Sequence, residues 1–117
     1  MPETNRGIID CHRADAKIRR DIEKLVRSRE PFLIWGVGTL TRRLLAETRL
    51  AEANIVAFVD ANPHARVSSL AGRRVLAPEQ ARGYSETIVV VSRAFAAEII
   101  RMIRRRLKLR NQVKLLA

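Results

Sequence analysis

Short apolar runs alternate along this chain with amphipathic stretches. An apolar run over residues 32–35 precedes a helical spacing at Leu40 and Leu44, and a second run covers residues 55–59. An unbroken β-branched run over residues 87–91 predicts a strand that is covered on both faces. Strands that alternate with helices indicate a parallel sheet with right-handed crossovers. We therefore predict a three-layer Rossmann-like α/β domain, with a mostly parallel central sheet and helices on both faces.

Two longer amphipathic stretches predict helices near the ends of the sequence. The first covers residues 15–29, with Asp15 as its N-cap. The second covers residues 94–107 and directs four apolar side chains inward. Those four are Phe95, Ile99, Met102 and Ile103. Residues 70–76 predict a turn followed by a short strand, and residues 112–116 predict a last strand at the sheet edge.

The size and composition fit one globular domain. The chain has 117 residues, of which 47% are hydrophobic, so we expect a single domain over residues 1–117, with residues 1–14 as a flexible segment. No apolar stretch approaches the about 20 residues that span a bilayer, and the first residues are polar. We expect a cytoplasmic protein without a membrane partner. The single cysteine, Cys11, beside His12, has neither a disulfide partner nor clustered ligands, so no metal site is expected.

The strongest candidate site is the turn after the first apolar run. Two glycines there let the backbone approach a phosphate, and the following helix adds its positive end. The predicted binding loop consists of Gly36, Val37, Gly38 and Thr39. Asp60 follows Gly38 by 22 positions, a spacing at which an acid reaches a ribose hydroxyl. Two plainer interpretations stay open: a tight turn without a ligand, and an Asp60 that caps its own turn through Asn62.

The end of the last central strand contributes two more candidates. Ligands of parallel sheets bind beyond the carboxyl ends of the strands, where the chain order reverses. This rule places Ser92 and Arg93 opposite the glycine turn. Arg93 can pair with a phosphate, whereas the simpler role for Ser92 is to cap the next helix. Trp35 can stack on a base, although an aromatic residue next to a core usually packs.

The candidate site points to binding rather than to catalysis. NAD or a nucleotide-sugar is the kind of cofactor that a glycine turn with a following acid accommodates. No Ser-His-acid arrangement and no metal-ligand spacing are recognisable in the sequence, so the catalytic residues stay unassigned and no metal is predicted.

Positive charge is concentrated at the end of the chain. The formal net charge is +11, and residues 101–117 carry seven basic and no acidic side chains. A helical spacing aligns four of them in a stripe, namely Arg101, Arg104, Arg105 and Lys108. Aromatic residues, which stack on nucleic-acid bases, make up 4% of the chain and none interrupts the stripe. We therefore expect a solvated face or a dock for an acidic partner, and not a nucleic-acid site.

The order and spacing of four segments resemble a known series of domains. The segments are residues 34–38, 58–63, 70–79 and 88–92, together with the pairs Leu44-Leu45 and Glu98-Ile99. The chain, from about residue 15 to its end, looks like the Rossmann-like C-terminal domain of sugar C-methyltransferases and like the N-terminal domain of bacterial sugar acyltransferases. The resemblance implies a nucleotide- or nucleotide-sugar-binding module beside a separate catalytic domain, with Gly36, Gly38 and Asp60 at the site.

Two functional hypotheses follow. The first is a small nucleotide- or nucleotide-sugar-binding module that is accessory to a separately encoded sugar-modifying enzyme, such as a methyltransferase. If the chain is part of an enzyme, that enzyme is a transferase acting on sugar nucleotides. The alternative is a non-catalytic interaction domain that has lost the pocket and docks an acidic partner through its basic C-terminal helix. A homodimer, formed through the first helix or the last strand, is compatible with both.

Overall fold

The chain forms an α/β fold around one six-stranded sheet, in a computed structural model that describes residues 16–65 and 69–116. The strands are β1 Phe32–Trp35, β2 Ile55–Val59, β3 Ser69–Leu70, β4 Arg73–Leu76, β5 Thr87–Val90 and β6 Val113–Leu115. Their order across the sheet is β3-β4-β2-β1-β5-β6. β3 and β4 form an antiparallel hairpin, and every other pair of neighbours is parallel. The predicted mostly parallel sheet is confirmed.

Helices connect the parallel strands. Helix α1 covers residues 16–28 of the described chain. The other helices are α2 Thr39–Glu47, α3 Ala96–Arg101 and a π-helix over Met102–Arg106, with 3-10 helices at Arg49–Glu52, Pro63–Ala65 and Pro78–Gly83. The predicted first helix agrees with α1. Its predicted N-cap, Asp15, and the whole segment 1–14 with Cys11 lie outside the described residues.

Apolar side chains of the strands pack in two separate clusters. In β1 the side chains alternate, so that Phe32 and Ile34 belong to one cluster and Leu33 and Trp35 to the other. The first cluster includes apolar residues of α1 and α2, and the second includes residues of α3 and the π-helix. Both sides of β1 are therefore buried, as its unbroken apolar run predicts.

The predicted helix over residues 94–107 is wrong in two respects. Helix α3 begins at Ala96, because the Ser92 hydroxyl accepts the Phe95 amide at 3.0 Å and holds a turn before the helix. The second half is a π-helix rather than an α-helix. Phe95, which the helical spacing directs inward, therefore lies at the N-cap with 59% of its surface exposed.

No helix among residues 16–65 and 69–116 is long and apolar enough to cross a membrane.

A buried amide joins the start of β5 to the chain before β6. The Asn111 side-chain nitrogen donates to the carbonyls of Tyr84 at 2.9 Å and Glu86 at 2.7 Å, and Asn111 is only 8% exposed. We predict that Asn111→Ala lowers the free energy of unfolding by about 1–3 kcal/mol, because two carbonyls lose their donor. Urea denaturation measures this loss. Asn54→Ala, which removes an exposed bond to the Arg29 carbonyl, serves as the control, and an equal loss in both variants would contradict the prediction.

Candidate functional site

A crevice of about 360 Å³ lies at the carboxyl ends of β1, β2 and β5. β1 lies between β2 and β5, so this is the point at which the chain order reverses. Among the sequence-predicted site residues, Gly36, Gly38, Asp60 and Ser92 line the crevice. The other three do not line it, and these are Val37, Thr39 and Arg93. The sequence therefore locates the crevice but not its full lining.

Gly36 is required by a close approach of two backbone segments. Its φ of +110° lies in a region that side chains rarely adopt, and a Cβ atom there would lie 2.7 Å from the Val91 carbonyl oxygen. The Gly36 amide donates to the Val59 carbonyl at 2.8 Å. This amide is therefore not free to bind an anion, contrary to the role expected from the sequence.

Gly38 differs from Gly36 in both respects. It is the N-cap of α2 with a φ of −77°, a value that any residue adopts. No atom lies within 4 Å of its hypothetical Cβ. The fold therefore does not require a glycine at position 38, although Gly38 lines the crevice.

The Asp60 carboxylate joins the glycine turn to the end of β2. One oxygen accepts the Val37 amide at 2.9 Å, and the other accepts the Asn62 amide at 2.7 Å. The second bond is the turn cap that the sequence left as one of two interpretations. A carboxylate has about four acceptor positions, so roughly two remain for a ligand. Asp60 can therefore cap its own turn and still bind a ribose hydroxyl. Its bond to the Val37 amide, however, occupies a second backbone donor of the glycine turn.

Thr41 stabilises the turn in a way that the sequence analysis missed. This fully buried residue of α2 donates its hydroxyl hydrogen to the Gly36 carbonyl. A threonine at the third position of a helix has no sequence signal for such a role, since its partner depends on how the preceding turn folds.

The segment that follows β5 contributes an aromatic residue to the crevice instead of a cation. Arg93 is exposed and lies outside the crevice lining. Phe95 and Trp35 both line the crevice. Phe95 is largely exposed, whereas Trp35 is only 1% exposed and packs in the core. The sequence analysis missed Phe95 because a regular helical period directs it inward.

The charges around the crevice are divided between two areas. Among the described residues that line it, Asp60 and Glu98 are acidic and none is basic. Glu98 also borders a second, shallow concavity, which is lined by Arg101, Arg105 and Arg106. No group of three or more His, Cys, Asp or Glu side chains that could hold a metal ion occurs among residues 16–65 and 69–116.

We predict that Gly36→Ala lowers the free energy of unfolding by at least about 1–3 kcal/mol, because an added Cβ is strained at this φ and meets the backbone of Val91. Thermal and urea denaturation measure the loss. Gly38→Asn is the matched control, since the side chain meets open space and asparagine is a favourable N-cap. Equal stability of the two variants would show that the close approach is not a constraint.

The chain is similar to one known protein family. The family model described as C2185-like, N-terminal, matches residues 28–112, which is more than two thirds of the chain. No curated protein and no solved structure matches the chain.

Proposed function

The chain belongs to the C2185-like N-terminal family, and we propose that this member binds a nucleotide or a nucleotide-sugar in the crevice. The observation that carries the proposal is the exposed ring of Phe95 in the same crevice as the Asp60 carboxylate. An aromatic ring and a carboxylate are the two groups that a base and a ribose require.

Phe95 is the group that would contact the base. Its surface is 59% exposed, so a flat ligand can cover the ring, and Ile99 and Met102 add apolar surface to the same crevice. Stacking of a base on an aromatic ring contributes about 1–3 kcal/mol. Two large hydrophobic residues of the described chain are exposed, namely Phe95 and Leu115. Of these two, only Phe95 lines this crevice.

Asp60 is the group that would contact the ribose. Its two amide bonds hold the carboxylate in one orientation at the crevice edge, which lowers the entropy cost of binding a hydroxyl pair. An acid in this position favours a ribose without a 2′-phosphate. NAD and UDP-sugars are therefore the first ligands to test.

The strand order supports a three-layer Rossmann-like architecture, which we include in the proposal. The five parallel strands occur across the sheet in the sequence third, second, first, fourth, fifth, the order of the dinucleotide-binding fold as far as its fifth strand. The two core clusters, each containing helical residues, agree with helices on both faces.

The resemblance to domains of sugar C-methyltransferases suggests a separately encoded sugar-modifying enzyme as partner. The cytoplasmic location also stays a prediction.

Binding experiments with two matched variants test the proposed function. We expect calorimetry to detect binding of NAD or a UDP-sugar, and Phe95→Ala to weaken it by about 5- to 150-fold because the stacking surface is lost. Leu115→Ala, which removes a similarly exposed side chain at β6, should leave the affinity unchanged. Absence of binding at millimolar ligand, or equal weakening by both variants, would refute the proposal.

A second candidate function is an interaction domain that docks an acidic partner. It is favoured by the seven basic side chains between residues 101 and 114, all of which are exposed and none of which forms an ion pair with a described residue. This function needs no open crevice. If the protein binds neither NAD nor a UDP-sugar, the interaction domain is therefore favoured over nucleotide binding.

A further inference from the structure

We propose that the phosphates of the ligand bind on the cationic shelf formed by Arg101, Arg105 and Arg106, and not at the glycine turn. This inference rests on the proposed function and specifies it. It identifies the ligand as a nucleotide with two or more phosphates, whose base occupies the crevice and whose anionic end extends over α3 and the π-helix.

The glycine turn is poorly suited to a phosphate in this protein. The Gly36 amide is engaged by Val59, and the Val37 amide is engaged by Asp60. A phosphate at the turn would also lie beside the Asp60 carboxylate, and like charges at close range repel. The anionic part of a ligand is therefore better placed away from Asp60.

The cationic shelf offers positive charge directly next to the crevice. The crevice and the shelf concavity, of about 400 Å³, share Glu98 and Met102 as lining residues, so one ligand can occupy both. The three arginines are exposed and form no ion pair with any described residue. Guanidinium groups bind phosphate oxygens in bidentate fashion, which makes arginine suited to this role.

The π-helix explains why these three arginines lie together. In an α-helix of 3.6 residues per turn, residues five apart do not lie above one another, so a regular spacing separates Arg101 from Arg106. Hydrogen bonds of the π type join residues five apart, as in the bond from the Leu107 amide to the Met102 carbonyl at 2.9 Å. Arg104, in contrast, donates to the Leu109 carbonyl at 2.8 Å. The wider turn therefore changes the stripe expected from the sequence into a compact cluster.

Glu98 opposes the phosphates from the boundary between the two concavities. One acidic and three basic residues line the shelf concavity, so the shelf keeps a net positive charge. In this arrangement the neutral base and ribose lie in the crevice on one side of Glu98, and the phosphates lie beside the arginines on the other side. Replacing Glu98 by glutamine should tighten the binding of a diphosphate by about two- to fivefold, because a negative charge that repels the phosphates is removed.

A phosphate series tests the inference. Calorimetry is carried out with adenosine, AMP and ADP and with uridine, UMP and UDP. We expect the affinity of at least one series to rise with each phosphate. The triple variant Arg101→Gln, Arg105→Gln and Arg106→Gln should weaken the diphosphate by about tenfold or more, since each exposed ion pair contributes up to about a fivefold change. The nucleoside should bind equally to both proteins.

A second triple variant controls for net charge. Lys108→Gln, Arg110→Gln and Lys114→Gln remove three charges from the same exposed segment but outside the shelf. We expect this variant to keep the phosphate gain. Equal weakening by both triple variants, or a wild-type affinity that does not change with phosphate number, would overturn the inference while leaving nucleoside binding intact. A protein that binds neither nucleosides nor nucleotides would overturn the proposed function itself.

A pair of Gly38 variants tests the competing phosphate position. Gly38→Asp and Gly38→Asn fit the same open space and differ mainly in charge. If the phosphates lie at the first turn of α2, the aspartate should abolish the phosphate gain and the asparagine should preserve it. We expect the two variants to retain the same gain, and a selective loss in Gly38→Asp would refute the shelf as the phosphate site.

Discussion

The architecture of the crevice depends on how closely the chain leaving β1 passes the end of β5. Gly36 occupies a conformation and a space that exclude any Cβ atom, because the Val91 carbonyl lies directly against it. The Val91 amide in turn donates to the Trp35 carbonyl at 3.0 Å, so the pairing of β1 and β5 continues beyond the strands. This contact sets where the turn into α2 begins, and hence where the three strand ends open.

The Asp60 carboxylate couples this turn to the neighbouring strand. By accepting one amide from the glycine turn and one from its own turn, it adds two side-chain bonds to the backbone bond between Gly36 and Val59. The same bonds consume donors that a phosphate would use and add negative charge beside them. The bonds that stabilise the turn therefore also limit its capacity for anions, which supports our proposal that the arginines next to the crevice hold the phosphates.

Much of the fold could be predicted from the sequence because it depends on local patterns. The unbroken apolar run over residues 87–91 appears as β5, since burial on two faces leaves a simple signature. The short strand predicted within residues 112–116 appears as the edge strand β6. The candidate site could be predicted in part. The glycine turn and Asp60 meet at one crevice, as predicted. The exposure of Phe95, in contrast, depends on a turn that Ser92 stabilises, and hydrophobic periodicity does not predict such a turn.

By itself, the sequence determined the order of the elements, the parallel sheet and the position of its carboxyl-end crevice. These follow from hydrophobic periodicity and glycine placement, which act over a few residues. Only the tertiary structure decided which groups face the crevice and which are already engaged. Hydrogen-bond partners such as Val37 with Asp60 lie 23 residues apart, and the π-helix regroups the arginines by changing the helical period. Both depend on packing between distant segments, a physical cause that no local pattern encodes.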